Sequence, residues 1–254
     1  MKQLLTLSLF VASALSASAQ SRFDLNGDNE VNVGDVTMLI NVILGKETDD
    51  TDPGKETGDT DPAVKEGLCP DAHHPHVIDM GAAGKWACCN VGASSPTDYG
   101  GYYAWGETEE KSYYDWDTYK YCHESGDNFW YNDLGDISGK AQYDVAAAKW
   151  GGAWKMPTLD RIQLLLNCAN EWTTINGVNG LLFTASNGNH LFLPAAGGRD
   201  ASGLSYASKV GYYWSSSPHA SYSGRAYALV VCKSGADWSN SVCYHGLSVR
   251  PVAE

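Results

Sequence analysis

Six oxygen-bearing residues recur at short intervals between positions 24 and 35, and their spacing constrains the local fold more than any other feature. They occupy positions 1, 3, 5, 7, 9 and 12 of a twelve-residue segment and are Asp24, Asn26, Asp28, Glu30, Asn32 and Asp35. A chain curled around one point brings five of these side chains and the Glu30 carbonyl to a common centre. Calcium prefers about six to eight oxygen ligands, so the segment predicts a Ca²⁺ site. An acidic, solvated turn is the alternative, but it does not require this spacing.

A short amphipathic helix is predicted directly after this loop. Apolar residues recur at helical spacing and a glycine provides a stop: Val36, Leu39, Ile40, Ile43 and then Gly45. Residues 20–45 therefore resemble one loop-helix repeat of a type I dockerin. The resemblance implies calcium binding and a cohesin-like protein partner. A complete dockerin pairs two repeats and the sequence shows one, so the repeat can instead act as a calcium-stabilised spacer.

The N-terminal residues and the overall charge bear on location and partners. Residues 1–19 carry a positive start at Lys2, a short apolar run and an Ala-Ser-Ala exit at 17–19, which are the parts of a secretory signal peptide. The run is too short for a permanent membrane span, and no later segment is long enough, so we expect a soluble product that is secreted or held at the cell surface. The formal charge of −13 disfavours nucleic acid and anionic membranes as partners.

Residues 46–67 are predicted to be a disordered, acidic linker. The unit KETDDTDP at 46–53 recurs as KETGDTDP at 55–62, and the repeat contains no apolar residue to bury. Self-repulsion among its acids and the two prolines should keep it extended. We therefore expect a spacer between the calcium module and the rest of the chain.

Residues 68–254 form the largest predicted domain. This part of the sequence is rich in glycines, aromatic residues and short apolar runs. Helices are predicted from Ser138 to residue 150 and, after a Thr158 cap with Asp160 in the first turn, to residue 168. Short strands are predicted at 85–90, 101–105, 181–184, 190–193, 211–216, 226–231 and 247–252. Two helices among many short strands with long connections predict an α+β fold.

Seven motifs follow one another across this domain. They are KWACCNVGA (85–93), YGGYYAWGET (99–108), WGGAWKMPT (150–158), WTTINGVNG (172–180), LFLPAAGGR (191–199), GYYWSSS (211–217) and GLSVRPV (246–252). The set resembles the Fibrobacter succinogenes major paralogous domain over nearly all of residues 75–252. That family is similar to the C-type-lectin-like and formylglycine-generating-enzyme-like folds, so the resemblance implies such a domain. Cys88 departs from the family, which more often has a small polar residue there.

Several motif residues are expected to serve the scaffold rather than a site. Trp86, Trp105, Trp154 and Trp214 lie among small residues, as buried aromatics with close backbone neighbours do. Arg250, in the last predicted strand, is expected to pair with an internal acid.

The segment from about residue 202 to 245 has a different composition. It mixes large aromatic residues with small polar ones, as antibody binding loops do. The predicted ligand-binding residues are Tyr206, His219, Tyr222, Arg225, Asp237, Trp238, Asn240, Tyr244 and His245. Domains of this kind resemble the variable proteins of diversity-generating retroelements, whose diversified positions fall in this last segment. Ordinary strand and turn surface is the alternative.

Histidines near the start of the domain can support metal chemistry. His73, His74 and His76 are close in sequence to Cys69 and Asp71 and can hold a transition metal. A flexible loop at the domain entrance is the alternative.

The cysteines permit further hypotheses. Adjacent Cys88 and Cys89 are predicted in a strand, where they would alternate faces and not share an environment. Cys232 and Cys243 flank a polar turn region and can face each other across a hairpin. Such a pair would imitate the copper-dependent cysteine oxidation of the formylglycine-generating fold.

These observations favour a non-catalytic function. The leading hypothesis is a secreted or cell-surface, adhesion-type protein that binds a protein or glycan ligand. The alternatives are an accessory to extracellular polysaccharide degradation, located through the dockerin-like module, and a cysteine- or metal-dependent oxidase. The calcium-sugar signatures E-P-N and Q-P-D are absent, so calcium-dependent sugar binding has no sequence support.

Overall fold

The computed structural model describes residues 73–125 and 128–253. All of them belong to one unit of the chain, Asp61–Glu254. The predicted signal peptide, calcium loop and linker lie outside the described residues. No helix within 73–125 and 128–253 has the length and apolar character needed to cross a membrane.

Short strands dominate the described residues. They are β1 (Val77–Asp79), β2 (Lys85–Ala87), β3 (Cys122–Ser125), β4 (Asn128–Tyr131), β5 (Trp154–Lys155), β6 (Ala169–Ile175), β7 (Val178–Thr184), β8 (His190–Pro194), β9 (Gly198–Asp200), β10 (Gly203–Ser205), β11 (Val210–Pro218), β12 (Arg225–Cys232), β13 (Gly235–Val242) and β14 (Val252–Ala253). The helices are α1 (Val145–Lys149), α2 (Leu159–Leu166) and a 3-10 turn at Gly81–Ala83.

The strands form several small antiparallel sheets. One has the order β1-β2-β14-β5, a second β6-β7-β8 and a third β11-β12-β13, and two hairpins pair β3 with β4 and β9 with β10. Many small sheets with few helices fit the predicted α+β class at this coarse level. The sheet β11-β12-β13 carries four of the nine predicted ligand-binding residues, namely Arg225, Asp237, Trp238 and Asn240, and β13 is one of its edges.

Helix α1 begins later than predicted, because a different residue caps it. The Asp144 carboxylate accepts hydrogen bonds from the amides of Ala146 and Ala147 at 2.9 and 3.1 Å, which satisfies the first turn. It also accepts from Gly139 and Met156. The predicted cap Ser138 instead donates its hydroxyl to the Met156 carbonyl. Residues 138–144 are therefore turns gathered around one buried carboxylate.

Helix α2 follows the sequence prediction at its start. The Thr158 hydroxyl accepts from the Arg161 amide at 3.2 Å, and Asp160 lies in the first turn. The helix ends at Leu166, two residues before the predicted end. Its buried face is formed by Ile162 and Leu165.

Strand bounds differ most from the prediction where pairing is irregular. Residues 101–105 and 247–252 were predicted to be strands, but they contribute an isolated bridge between Tyr103 and Leu247 and the two-residue β14. The predicted strand 85–90 ends at Ala87. Strands β6 and β13 were not predicted at all.

The core confirms most of the predicted scaffold. Trp86, Trp105 and Trp214 are buried, whereas Trp154 is only half-buried. Arg250 is buried too. Its Nε donates to Asn90 Oδ1 at 2.8 Å, so this bond goes to a neutral oxygen rather than to the predicted acid.

Candidate ligand-binding face

The hairpin of β12 and β13 presents a row of side chains to solvent. Its register sets Tyr227 opposite Asn240 and Leu229 opposite Trp238, so alternate residues of each strand share a face. β12 is largely buried, whereas most of β13 is exposed or half-buried. The sequence of β13 therefore needs few apolar residues, because none of its side chains is fully buried.

Four aromatic rings form a continuous strip along this hairpin. His219 lies 4.8 Å from Tyr222 and 4.9 Å from Tyr227, and Tyr227 lies 5.5 Å from Trp238, measured between ring centroids. Tyr222 is 62% exposed and Trp238 is 42% exposed. We call these four residues the aromatic strip. Its rings are amphipathic and partly preorganised, which suits them to ligand contact.

The turn before β12 fixes the orientation of the strip's histidine. His219 Nδ1 accepts hydrogen bonds from the amides of Ser221 and Tyr222, each at 3.1 Å. A ring nitrogen that accepts two amide protons carries none itself, so the proton of the neutral ring lies on Nε2. The turn thus holds His219 against Tyr227 and leaves Nε2 as a donor.

A cleft of about 440 Å³ opens beside the strip. Its lining includes His219, Tyr222, Arg225, Asp133 and Tyr131, and we call it the Arg225 cleft. The Arg225 guanidinium donates from Nη1 to Asn240 Oδ1 at 2.7 Å. This bond bridges β12 and β13 and places a cation at the rim, so the cleft combines aromatic surface with both signs of charge.

The structure has a second, separate cavity of about 230 Å³. Its polar and aromatic lining includes Arg199, Asp200, Tyr206, Tyr212 and His245, and we call it the Arg199 pocket. The guanidinium of Arg199 lies 5.1 Å from the centroid of the Tyr102 ring, a cation–π contact.

Hydrogen bonds and burial set the charge state of this pocket. Hydrogen bonds from Ser202 hold the pKa of Asp200 below its usual value. Burial, together with the charge of Arg225, lowers the pKa of His245, and Asp200 opposes that shift. His245 Nδ1 forms a hydrogen bond of 2.8 Å with Ser241 Oγ. A negative carboxylate and a neutral imidazole therefore face the Arg199 side chain at neutral pH.

The predicted ligand-binding residues divide between these two regions. His219, Tyr222 and Arg225 line the Arg225 cleft, while Tyr206 and His245 line the Arg199 pocket. Trp238 and Asn240 belong to the strip side of the hairpin, as their contacts with Tyr227 and Arg225 show.

Two of the predicted residues occupy other positions. Asp237 is exposed on the strand face opposite Trp238 and accepts from the Trp238 amide at 2.8 Å. Tyr244 is half-buried between Trp116 and His245, with ring centroids 4.7 Å from each. The segment therefore does not form one contiguous face.

Several residues of these regions were not predicted from the sequence. They include Tyr227 in the strip, Tyr131 and Asp133 in the cleft, and Arg199, Asp200 and Tyr212 in the pocket. Tyr227 alternates with Arg225 along a period-2 strand, a signal that was present in the sequence. The three pocket residues fall within or beside motifs assigned to the scaffold, and nothing in their spacing marks the cavity.

The cysteine pair proposed for oxidase chemistry is not formed. Cys232 is paired with Gly235 at the turn end of the hairpin, whereas Cys243 follows Val242 at the other end. The two thiols are therefore separated by roughly 20 Å of strand. Both are free, and burial raises the pKa of the Cys243 thiol to about 12. The hairpin prediction for this pair was wrong, because residues 235–242 continue as a strand rather than a turn.

The predicted separation of Cys88 and Cys89 was also wrong. β2 ends at Ala87, so both cysteines lie in a bend rather than in a strand with alternating faces. Their sulfur atoms and a ring nitrogen of His74 all lie within 4.8 Å of one another. Part of the predicted histidine cluster is thus next to a second group of ligand-type side chains.

The chain was compared with known families, proteins and structures. Residues 22–61 match the family described as Dockerin type I domain. The match includes the predicted calcium loop and helix and continues into the segment predicted to be a linker. Domains of this family bind calcium, dock to cohesins and occur in extracellular or cell-surface proteins. No curated protein and no solved structure matches the chain.

Proposed function

We propose that the protein is an exported, non-catalytic binding protein whose ligand contacts the aromatic strip and the Arg225 cleft. The observation that carries this proposal is the exposure of Tyr222 and Trp238 beside a cleft of about 440 Å³. Small-molecule sites commonly have volumes of about 300–1,000 Å³. The Arg225 cleft falls in this range, and the Arg199 pocket, at about 230 Å³, is below it.

The chemistry of the strip indicates the class of ligand. Tyrosine and tryptophan offer a broad apolar ring with a polar edge, and His219 Nε2 and Arg225 add hydrogen-bond donors. Such a surface suits a protein epitope or the face of a glycan. The lectin-like assignment of the domain rests on the seven sequence motifs, and a lectin-like fold does not by itself establish sugar binding.

A glycan and protein array probed with the full chain tests this function. We expect a ligand whose binding falls at least about tenfold in Trp238→Ala, the loss that marks an interface hot spot. Tyr113→Ala is the matched control, because Tyr113 is 48% exposed and lines neither cavity. Equal binding by wild type and Trp238→Ala would exclude the strip as the contact surface.

The second candidate function is attachment through the N-terminal module, and the family match at residues 22–61 favours it. In this function the dockerin-like segment binds Ca²⁺ and docks to a cohesin-like partner, so the protein would be an accessory of an extracellular assembly that degrades polysaccharide. The predicted ligands are the six residues between Asp24 and Asp35. Hard oxygen ligands at this spacing match the preference of calcium.

Calorimetric calcium titration and cohesin pull-down of the full chain test the second function. We expect a calcium-binding event that is lost in the double variant Asp24→Ala/Asp28→Ala and retained in Asp59→Ala. Asp59 lies within the matched segment but outside the predicted loop. Retention of the event in the double variant would place the ion elsewhere. Calcium binding without cohesin capture would leave a stabilised spacer and reject docking.

A further inference from the structure

We propose that His74, Cys88 and Cys89 form a binding site for a tetrahedral transition metal, for which zinc has the appropriate chemistry. One ligand atom from each residue lies within 4.8 Å of the other two. The group is far in sequence from the aromatic strip and from the calcium loop, so the site is independent of both functions proposed above.

Strand pairing brings these residues together. β1 and β2 pair with Val77 opposite Ala87, and the next residue pair continues this contact, since the Cys88 amide donates to the His76 carbonyl at 2.9 Å. The segment before β1 is thereby held against the bend after β2. His74 Nδ1 consequently lies 3.0 Å from Cys88 Sγ.

The chemical type of the ligands favours a soft or borderline cation. Two thiolates with an imidazole are preferred by zinc and by copper(I), whereas calcium requires oxygen ligands. Cys88 and Cys89 are only 1% and 0% exposed. Burial in an apolar cluster keeps a thiol protonated in the absence of a cation. A divalent ion allows both sulfurs to bind as thiolates and neutralises their two charges, because each thiol releases one proton as it binds.

The dimensions of the group are close to those of a zinc site. With a Zn–S bond of about 2.3 Å and a Zn–N bond of about 2.0 Å, tetrahedral ligand atoms are separated by roughly 3.5–3.8 Å. The three ligand atoms lie no more than 4.8 Å apart, and His74 Nδ1 lies 3.0 Å from Cys88 Sγ. The expected tetrahedral separation falls between these two distances. Small side-chain rotations at half-buried His74 suffice to admit the ion. His76 Nδ1 lies 3.8 Å from Cys88 Sγ but outside the group of three mutually close ligand atoms, so the fourth ligand in the proposed site is a water molecule or a rotated His76 ring.

Outer contacts orient the thiol of Cys88. The His76 amide donates to Cys88 Sγ at 3.0 Å, and amide bonds to sulfur of this kind position metal-bound thiolates. The Arg250 guanidinium donates from Nη1 to the Cys88 carbonyl at 2.9 Å. These contacts fix the bend that carries both cysteines, so the ligands are held by buried structure on one side. Half-buried His74 provides the route by which the ion enters.

Metal analysis of the full chain tests the proposal. Protein purified under reducing conditions and supplied with zinc is expected to retain about one zinc per chain through desalting. Substitution with Co²⁺ is expected to give a sulfur-to-metal charge-transfer absorption. The calcium loop cannot produce that absorption, since its ligands are oxygens, and the variant Asp24→Ala/Asp28→Ala should keep it.

Variants identify the ligands. Cys89→Ser is expected to lower the charge-transfer absorption by at least about half, because one of the two sulfur ligands is lost, while Cys168→Ser, which alters a half-buried free thiol elsewhere, should leave it unchanged. Because a buried Cys→Ser change can unfold the domain, His74→Ala supplies a second test at a half-buried position. Its zinc affinity is expected to fall at least about tenfold, as even residues that only orient ligands contribute that much.

Three results would overturn the proposal. The first is wild-type protein that retains no zinc and shows no sulfur-to-cobalt absorption although both thiols are reduced. The second is native protein in which Cys88 and Cys89 are joined to each other as a disulfide, which non-reducing peptide mapping by mass spectrometry detects. The third is zinc binding that survives in both Cys89→Ser and His74→Ala.

Discussion

Tyr222 and Tyr206 are equally exposed, at 62% each, but they belong to regions that are built in different ways. Tyr222 is part of the aromatic strip, where rings contact one another along an edge hairpin. Tyr206 lies at the Arg199 pocket, where the backbone itself is held in place. The amides of Arg199 and Gly246 each donate to the other's carbonyl, at 2.8 and 2.9 Å.

The difference separates adaptable surface from fixed scaffold. The exposed strip side chains Tyr222 and Trp238 can be replaced without opening the core, because the register of β13 is set by main-chain pairing with β12. The pocket instead depends on close backbone approach and on a residue with unusual dihedral angles, since Tyr206 has a φ of 62°. Substitutions in the pocket should therefore affect stability first, and those in the strip should affect binding first.

The largest expected effect is on the backbone beside the pocket, at Gly246, which pairs with Arg199. A Cβ added at Gly246 would lie 2.6 Å from Cε1 of the buried Tyr114 ring. The ring cannot move away easily, because its hydroxyl donates to the Tyr102 carbonyl. Gly246→Ala should therefore lower the free energy of unfolding by about 1–3 kcal/mol, measured by urea denaturation. Ser239→Ala, at an exposed position of β13, is the control, and equal stabilities of the two variants would contradict a rigid backbone beside the pocket.

The next effect distinguishes the two tyrosines by ligand binding. Tyr222→Ala should weaken binding of the array-identified ligand about tenfold, or roughly 1.4 kcal/mol. Tyr206→Ala should leave it within about twofold, because Tyr206 lines only the smaller cavity. Titration by surface plasmon resonance measures both. The reverse order of effects would move the ligand site to the Arg199 pocket.

Backbone conformation gives a third comparison at the same two positions. A non-glycine residue in the left-handed region costs about 1–2 kcal/mol, so Tyr206→Gly should be about 1 kcal/mol more stable than Tyr206→Ala. Tyr222 does not have a positive φ, and there Gly should be no better than Ala. Thermal and urea unfolding of the four variants provides the measurement. If glycine gave no advantage at Tyr206, the left-handed conformation would not be maintained in solution.

The sequence predicted those parts of the fold that depend on local chemistry. Thr158 caps α2 as its position suggested, and three of the four tryptophans assigned to the core are buried. The cap of α1 was wrongly predicted, because Asp144 rather than Ser138 accepts from the amides of Ala146 and Ala147. These two bonds are local, but the same carboxylate also accepts from the amide of Met156, twelve residues along the chain, and local pattern does not show that contact.

Strand β13 shows why the candidate site was predicted only in part. Its residues are polar and resemble a turn, and only pairing with β12 makes them a strand. The composition of the segment identified nine candidate residues, but it could not assign them to two regions. Likewise, Cys88 and Cys89 meet His74 only because β2 stops at Ala87, a boundary set by tertiary pairing.

The smallest predicted effect concerns pH and the pocket histidine. Burial lowers the pKa of His245 below the ordinary value. As the pH falls below about 6.5, the unfolded chain takes up a proton that folded His245 does not, so stability decreases with falling pH until the folded pKa is passed. His245 can therefore change the free energy of unfolding by less than roughly 1.4 kcal/mol per pH unit, which is the slope that uptake of one whole proton would give.

Urea unfolding between pH 7.5 and 5 tests this, with His245→Gln compared with wild type. Replacing His245 should flatten the pH dependence of the free energy of unfolding, since the titrating group that the pocket keeps neutral is removed. If His245→Gln kept the wild-type slope, the pocket would not hold His245 neutral. In that case the proposed contrast between fixed pocket and adaptable strip would rest on the glycine and tyrosine substitutions alone.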